Sequence, residues 1–522
     1  MQRTHALKEI QRDPDKIWDI IIIGGGATGL GAGVDAASRG YQTLVLEKYD
    51  FAKGTSSRST KLVHGGVRYL AQGDIPLVLE ALHERGLLKQ NAPHLVKNLE
   101  FIIPNYDWWA GPFYTAGLKV YDLMAGKLGF GPSVHISKEE AMRAIPNLVE
   151  EGLKGGVIYH DGQFDDSRLA VNLAQTIVDK GGCVANYCAV TALLKDAGGM
   201  ISGVKLHDSE SAQAFTVKAQ VVVNATGIFV DQIHAMDQPG MSKTVVPSQG
   251  VHIVLDKSFL PGDKAIMIPK TEDGRVLFAV PWHNHVIVGT TDTPGLEPTI
   301  EPRAQEEEID FILDTAAVFL HRAPTRSDVL SIFAGLRPLA APEQKGEASK
   351  EISRGHKLTI SHSGLISIIG GKWTTYRRMG EEIVDKAILL VDLQEKPCVT
   401  QEMPIHGAMN SSSSDSHLSV YGTDAAGIAD IINKHAELAE PLHPDLPYIK
   451  AEVIWATREE MARCVEDFLA RRTRALFLNA RASMQMAPTV ANLMAKELGL
   501  DTAWEKQQVS TYKEHAQGYL LE

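Results

Sequence analysis

Apolar residues along this chain alternate between short β-like runs and helical spacing, and this order predicts a mixed α/β fold. The isoleucine run at 20–23 predicts a strand buried on both faces, as in a parallel sheet. Similar β-branched runs at 220–224 and 365–369 each end in a turn of small residues. Between these last two, short runs separated by turn residues predict an antiparallel meander, at 251–255, 265–269, 276–280 and 286–289.

The order of these patterns predicts three domains: a Rossmann-like nucleotide-binding domain, an inserted antiparallel-sheet domain that caps it, and a C-terminal helical domain. The nucleotide-binding domain is expected in three pieces, 17–95, 155–245 and 330–395. The capping domain is expected at 96–154 and 246–329. A serine-rich stretch predicts a linker over 396–418, and helical spacing beyond it, at 425–435, 450–455, 457–470 and 490–498, predicts the helical domain 419–522.

A glycine pattern follows the first predicted strand directly. Gly24 permits a tight turn, Gly26 lets the backbone approach a pyrophosphate, and Gly29 lets the following helix pack on the strand. The N-terminus of that helix offers N–H groups and a positive dipole to the pyrophosphate. Glu47 ends the next predicted strand, where its carboxylate can accept hydrogen bonds from ribose hydroxyls. The combination predicts a dinucleotide-binding site.

Charge and cysteine content narrow the class of protein further. The net charge of −12 argues against a nucleic-acid-binding protein, which would carry a basic surface. The four cysteines are too few and too scattered for a disulfide framework or an iron–sulfur cluster, so we expect a reducing compartment, the cytoplasm, and no metal. No signal peptide and no apolar run long enough to span a bilayer is evident.

The three sheet pieces and their turns resemble FAD-binding oxidoreductases of the D-amino-acid oxidase type. The turns are the glycine pattern at 24–29, Ala225-Thr226-Gly227 and Gly370-Gly371. A closer resemblance is to the flavin-dependent glycerol-3-phosphate dehydrogenases, of the aerobic, quinone-linked kind, and it runs from about residue 18 to 391. It is carried by Thr55-Ser56-Ser57, by 61–70, by 335–339, by Ser353-Arg354 and by 370–377. The tail fits that family's C-terminal domain, and Trp373 stands where a smaller apolar residue is common.

This resemblance implies a reaction and its partners. FAD would take a hydride from C2 of sn-glycerol 3-phosphate, giving dihydroxyacetone phosphate, and the electrons would pass to a membrane quinone. The protein would then lie on the cytoplasmic face of the membrane without a spanning helix, and a homodimer stays open. The cofactor-binding residues implied are Gly24, Gly26, Gly29, Glu47, Ser59, Thr60, Lys61, Leu62, His64, Gly227, Gly371, Lys372 and Thr374.

The phosphate of the substrate would be bound by cationic side chains. Arginine suits it best, because its planar guanidinium can donate two parallel hydrogen bonds, whereas lysine supplies a single point charge. Arg68, Arg337, Arg354 and Lys372 lie in glycine- or proline-flanked segments near the ends of predicted strands, and Tyr69 accompanies them. Such cations stand out in an acidic chain. Arg337 is the strongest candidate, because no acidic residue lies near it in the sequence.

Oxidation of an alcohol also needs a base for the hydroxyl proton. A histidine suits that role because its ordinary pKa of ~6.5 lies close to neutral pH. His252 and His64 are the candidates, and the sequence does not choose between them or exclude help from Arg337 in polarising the hydroxyl.

Other functions stay open beside the quinone-linked dehydrogenase. The first alternative is an oxidase that passes electrons to oxygen and forms hydrogen peroxide. An amino-acid oxidase would need one arginine for a carboxylate rather than several cations, and the anaerobic branch would need cysteine clusters in the tail. A flavin-binding RNA-modifying or structural protein conflicts with the acidic charge.

A quinone acceptor would require contact with lipid, and two stretches of the sequence could supply it. One is Trp108-Trp109 with the apolar segment 113–128, which includes Lys119 and Lys127. The other is the arginine-rich segment 471–478 in the tail.

Overall fold

The structure is a computed structural model that describes residues 1–67, 70, 73–107, 110–269, 271, 275–341, 355–409 and 416–521. Two large sheets and a helical tail make up the described part of the chain. This arrangement confirms the α/β class, the Rossmann-like domain and the C-terminal helical domain.

The first sheet contains the isoleucine run as its central parallel strand, Ile17–Ile23. Helices Ala27–Ser38 and Tyr376–Val391 pack closely against each other beside it, since a Cβ on Gly31 would lie 2.7 Å from the Tyr376 carbonyl oxygen. The described strands, in spatial order, are His356–Ile360, Ile366–Gly370, Ala214–Asn224, Ile17–Ile23, Thr43–Leu46 and Cys183–Ala185, with Ile201–Asp208 and Cys188–Lys195 continuing from Ala214–Asn224.

The second sheet is mostly antiparallel and holds the predicted meander. Its described strands are Thr293–Pro294, Val245–Asp256, His285–Gly289, Leu277–Trp282, Ala265–Ile268, Lys97–Asn105, Gly155–Gln163 and Leu62–Val63, with Ser331–Ala340 beside Val245–Asp256 and Val134–Ser137 beside Gly155–Gln163.

Three strands from the segments that the sequence assigns to the nucleotide-binding domain lie in this second sheet: Leu62–Val63, Gly155–Gln163 and Ser331–Ala340. Gly155–Gln163 pairs with Lys97–Asn105 along its whole length. Ser331–Ala340 pairs with Val245–Asp256 from residue 331 to residue 340. Long antiparallel pairing decides their place, and the apolar pattern of a buried strand does not reveal which sheet it joins.

The helices of the first 391 residues surround these sheets. The described helices are Arg3–Gln11, Ala27–Ser38, Ile75–Asn91, Ala110–Ala125, Lys138–Ala144, Asp166–Asp179, Val230–Asp237, Glu306–Phe319 and Tyr376–Val391.

The tail is helical, but the prediction of one helix over 457–470 is wrong. The helix Lys450–Glu459 ends at residue 459, within the predicted range, and a separate π-helical turn covers Asp467–Arg472. The Asp467 carboxylate accepts hydrogen bonds from the Arg463 and Cys464 N–H groups, which starts a new turn. The other described helices of the tail are Ala425–Lys434, Ala475–Leu478, Ala480–Leu498 and Thr502–Gln517, with a small hairpin at Pro441–His443 and Leu446–Ile449.

The arginine run of the tail is buried, so its assignment as a membrane contact is wrong. The side chains of Arg471 and Arg472 are 3% and 0% exposed. Arg472 donates to both carboxylate oxygens of Asp50 at 2.7 and 2.8 Å, and Arg471 donates to the same carboxylate at 2.6 Å. These arginines therefore tie the tail to the loop after the second strand instead of facing lipid.

Much of the predicted linker is packed rather than extended; residues 410–415 lie outside the described part. Ile405 is buried, and its N–H donates to the Asn91 carbonyl at 3.0 Å. His406 lies between two carboxylates, with Nδ1 2.7 Å from Asp179 and Nε2 3.0 Å from Asp424. Burial lowers the pKa of this imidazole, but the two carboxylates outweigh burial and raise it to about 9.

We expect His406→Gln to lower the melting temperature by about 2 °C at pH 6, because a charged imidazole joins the segment to two carboxylates. The folded-state pKa lies above the unfolded value, so this stabilisation is complete below ~6.5 and is lost as pH rises through about 9. Thermal unfolding at pH 6, 8 and 10 tests this, with the exposed His435→Gln as control. A difference between wild type and His406→Gln that persists undiminished at pH 10 would contradict it.

Candidate active site

A cavity of about 960 Å³ lies where the first sheet meets the second. The carboxyl ends of three strands of the first sheet contribute Ile23, Leu46 and Ala225 to its wall. Open α/β sheets bind ligands at this edge. The facing wall comes from the second sheet, including His252 and Arg337.

The glycine pattern has the geometry that a dinucleotide turn requires. Gly24 has a φ of +114°, and a Cβ there would lie 2.5 Å from the Ala225 carbonyl oxygen. A Cβ on Gly29 would lie 1.9 Å from the Gly24 carbonyl oxygen, so only glycine lets the helix approach the strand. Gly24 and Gly26 line the cavity, whereas Gly29 packs behind it.

Glu47 lies at the cavity wall at the end of its strand. Its two carboxylate oxygens accept hydrogen bonds from the Gly25 N–H at 2.6 Å and the Tyr49 N–H at 2.8 Å. Burial raises the pKa of this carboxyl, and the two N–H donors oppose that rise. The donors fix the carboxylate in the place expected for a ribose contact.

The segment 59–62 contributes Ser59, Thr60 and Leu62 to the cavity, but not the side chain of Lys61. Lys61 is fully buried, and its Nζ donates to the Ser57 carbonyl at 2.7 Å and to Asp166 at 2.6 Å. Lys61 thus supports the segment from behind, and its side chain does not lie at the wall where a cofactor contact is expected.

His252 lies in the cavity wall with its imidazole 2% exposed. Its Nε2 is 2.9 Å from the Thr60 hydroxyl oxygen, and within the described part of the chain its Nδ1 has no hydrogen-bond partner. A Cβ on Gly289 of the neighbouring strand would lie 2.4 Å from the imidazole Cδ2, so glycine makes room for the ring. Burial, with the nearby charges of Lys61 and Arg337, holds the pKa of His252 well below its usual range.

Arg337 lines the cavity with its guanidinium held in place by oxygen acceptors. Nη1 donates to the Gln249 carbonyl at 3.2 Å and to Asp292 at 3.3 Å, and Nη2 donates to the Thr290 hydroxyl at 3.0 Å. A Cβ on Gly250 would lie 2.3 Å from Nη2, so this glycine admits the guanidinium. The expectation that Arg337 has no acidic neighbour holds for the sequence but not for the structure, because Asp292 comes from another strand connection.

The remaining described candidates also line the cavity. His64, Gly227, Gly371, Lys372 and Thr374 all contribute to its wall. Gly371 has a φ of +88°, and a Cβ there would lie 2.2 Å from the Met379 side chain. Arg68, Tyr69 and Arg354 lie outside the described residues.

Sequence reasoning missed the segment that orients Arg337. Thr290 and Asp292 line the cavity together with Thr291, directly after the strand His285–Gly289. The polar run Thr290-Thr291-Asp292 that ends an apolar strand is a signal that could have found them.

The residues present fit FAD on structural grounds. The cavity is continuous from Glu47, past the Gly26 turn and the start of helix Ala27–Ser38, to Gly371 and Thr60. Gly26 lines the cavity without a side chain, so its backbone is open to a close pyrophosphate, and a Cβ there would lie 3.1 Å from the Ser56 hydroxyl oxygen. A cavity of this size can hold a cofactor together with a small substrate.

Gly26→Val should prevent FAD retention, because a branched side chain would occupy the space where a pyrophosphate meets the backbone. The ratio of flavin absorbance to protein absorbance after purification measures this. Gly198→Val, in an exposed turn remote from the cavity, is the matched control and should stay yellow. Full flavin content in folded Gly26→Val protein would contradict the assignment of this turn.

Comparisons with known proteins agree with this geometry. Residues 19–377 match the family of FAD dependent oxidoreductases, and residues 366–507 match the C-terminal domain of alpha-glycerophosphate oxidase. The mitochondrial glycerol-3-phosphate dehydrogenase of Homo sapiens is 39% identical, over 95% of this chain and 72% of its own length. The mitochondrial glycerol-3-phosphate dehydrogenase SDP6 of Arabidopsis thaliana is 38% identical, over 95% of this chain and 85% of its own length.

A solved structure extends the similarity to nearly the whole chain. The glycerol-3-phosphate dehydrogenase of Bacillus halodurans, complexed with FAD, superposes with a TM-score of 0.81 at 29% identity, over 99% of this chain and 97% of that one. The cradle for a dinucleotide and these matches lead to one conclusion: the chain is an oxidoreductase with FAD as cofactor, and it belongs to the glycerol-3-phosphate dehydrogenases within the FAD-dependent oxidoreductase family.

Proposed function

We propose that this protein oxidises sn-glycerol 3-phosphate to dihydroxyacetone phosphate and passes the electrons to a membrane quinone. The observation that carries the proposal is a guanidinium and a buried imidazole, Arg337 and His252, in one wall of the cofactor cavity. They come from strands that pair with each other, Ser331–Ala340 and Val245–Asp256. A phosphorylated secondary alcohol needs both groups.

Arg337 would bind the phosphate. Its acceptors fix the plane of the guanidinium before substrate arrives, which reduces the entropy lost on binding. Asp292 offsets part of its charge, and a dianionic phosphate would compete well for the remaining donors. Lys372 contributes a second cation to the cavity wall.

His252 would take the proton from the substrate hydroxyl. Its low pKa keeps the imidazole neutral at pH 7, so a ring nitrogen is available as an acceptor. Thr60 holds Nε2, and that contact orients the ring. FAD, when bound, accepts the hydride from carbon. His64 also lines the cavity and is the second candidate for the base.

A surface of the described helices supports contact with lipid. Phe113, Val120 and Leu123 lie on one face of helix Ala110–Ala125 and are 60%, 49% and 82% exposed. Ile75 and Leu79 of the helix packed beside it are also about half exposed. Exposed Lys119 adds positive charge beside this face, which favours anionic lipid.

No helix in the described part of the chain is both long and apolar enough to cross a bilayer. We propose that the apolar face of Ala110–Ala125 lies in the surface of the cytoplasmic leaflet and brings the cavity to the quinone. Trp108-Trp109, expected to assist it, lies outside the described residues. The relatives from Homo sapiens and Arabidopsis thaliana are named as mitochondrial enzymes.

An oxygen-using oxidase is the second candidate, because the tail matches the family model named after alpha-glycerophosphate oxidase. Steady-state turnover with a short-chain quinone, compared with oxygen uptake and peroxide formation, separates the two. We expect quinone turnover to exceed oxygen turnover at least tenfold. Equal or faster oxygen turnover would favour the oxidase.

We expect Arg337→Leu to raise the KM for glycerol 3-phosphate about 30-fold or more, equivalent to ~2 kcal/mol or more, because a desolvated charge-assisted contact is lost. Arg337→Lys should recover only part of it, since an ammonium cannot form the fork. Steady-state kinetics test this, with Arg326→Leu as control, because Arg326 is partly exposed and does not line the cavity. A nearly normal KM in Arg337→Leu would remove Arg337 from the substrate site.

Leu123→Glu should weaken binding to anionic vesicles, because it places a charge at the most exposed of the three apolar positions on this face. Flotation with phosphatidylglycerol-containing vesicles measures the bound fraction, which should fall severalfold. Leu389→Glu is the matched control, since Leu389 is 76% exposed on helix Tyr376–Val391. Equal flotation of the two variants would contradict the assigned surface.

A further inference from the structure

The imidazole of His252 lies against an aromatic ring. Phe333, its register partner on the neighbouring strand, stacks on it with ring centroids 4.9 Å apart and planes 15° from parallel. Phe333 is 2% exposed. This ring therefore sets one face of the imidazole and keeps water from it.

The next ring comes from the C-terminal domain. Phe477, in helix Ala475–Leu478, meets Phe333 edge to face with centroids 4.9 Å apart. Tyr519, near the end of the chain, holds the other side of Phe477 at 5.5 Å. The order His252, Phe333, Phe477, Tyr519 thus runs from the cavity wall into the core of the tail.

The same part of the tail also contacts the segment that hydrogen-bonds His252. Arg474 lies over the Phe477 ring at 4.2 Å and donates to the Ser57 carbonyl at 2.7 Å. That carbonyl also accepts the hydrogen bond from Lys61, which directly follows Thr60. Thr60 bonds the imidazole Nε2. Residues 474–477 therefore support His252 in two ways: Phe477 packs against the ring that stacks on it, and Arg474 holds the segment that hydrogen-bonds it.

We propose that Phe477 and Arg474 of the C-terminal domain are positioning residues for His252, holding its imidazole in the orientation that accepts the substrate proton. The inference rests on the proposed function and deepens it. It also gives the helical tail, which contributes no residue to the described wall of the cavity, a role in the reaction.

Charged side chains lie around His252, and together with its burial they determine how its pKa would respond if the aromatic stack were loosened. Lys61 faces it from the segment after Ser57 and is paired with Asp166. Arg337 faces it from the adjacent strand and is paired with Asp292, and Arg474 lies behind Lys61, 3.4 Å from Asp166. Water admitted beside the ring would reduce the burial that is the largest cause of its low pKa.

The test is Phe477→Leu in the full-length FAD-loaded enzyme, with Phe468→Leu as control. Phe468 is equally buried in the same tail core, so the control removes the same atoms. In Phe477→Leu we expect kcat to fall about tenfold, because small displacements of a catalytic group are costly. The KM for glycerol 3-phosphate and the flavin content should not change.

The acidic limb of the kcat–pH profile should also move up by about one pH unit in Phe477→Leu, as the pKa of His252 rises towards its ordinary value. Phe468→Leu should lose similar thermal stability but keep the wild-type profile. If Phe477→Leu does not fold, Phe477→Met conserves most of the volume while removing the ring.

Wild-type kcat and pH profile in folded Phe477→Leu and Phe477→Met would overturn the proposal, as would an equal change in Phe468→Leu. A wild-type enzyme that does not oxidise glycerol 3-phosphate would instead refute the proposed function, so the two failures are distinct.

Discussion

The buried carboxylate of Asp166 is the constraint on which the shape of the active site depends. It accepts hydrogen bonds from the Lys61 ammonium at 2.6 Å and from the Ser59 hydroxyl at 2.7 Å, and the Arg474 guanidinium lies 3.4 Å away. A buried carboxylate is costly to desolvate, so it persists only with such a full set of partners. Through them it joins a helix of the nucleotide-binding domain, the segment that lines the cavity and the C-terminal tail.

The cavity wall holds two side chains of opposite charge, the carboxylate of Glu47 and the guanidinium of Arg337. Glu47 sits where N–H donors hold its carboxylate, and Arg337 sits where oxygens hold its guanidinium. Backbone N–H groups hold the Glu47 carboxylate, and a backbone carbonyl, the Thr290 hydroxyl and Asp292 hold the Arg337 guanidinium. In the proposed function, Arg337 and Lys372 would supply the cations for a phosphorylated substrate in a chain with a net charge of −12.

Short contiguous patterns in the sequence correctly predicted the elements that those same residues form. The isoleucine run lies in a strand, the glycine pattern forms the turn after it, and Glu47 follows the next strand, each within one contiguous stretch of sequence. The features that the sequence did not predict depend on contacts between distant residues. They are the sheet to which Ser331–Ala340 belongs and the pairing of Arg337 with Asp292. The arginine run of the tail was also misjudged, because a run of charged residues in a sequence does not reveal whether the charges are paired and buried. Arg472 is 0% exposed and paired with Asp50, so it cannot contact lipid.

The central claim is that this cavity brings glycerol 3-phosphate to bound FAD for hydride transfer. Anaerobic titration of the purified holoenzyme, followed by the flavin absorbance near 450 nm, tests it directly. The account predicts that sn-glycerol 3-phosphate bleaches the flavin in proportion to the amount added, whereas glycerol, which lacks the phosphate that Arg337 would bind, leaves it oxidised at the same concentration. A flavin that stays oxidised with glycerol 3-phosphate, or is bleached equally well by glycerol, would contradict the account.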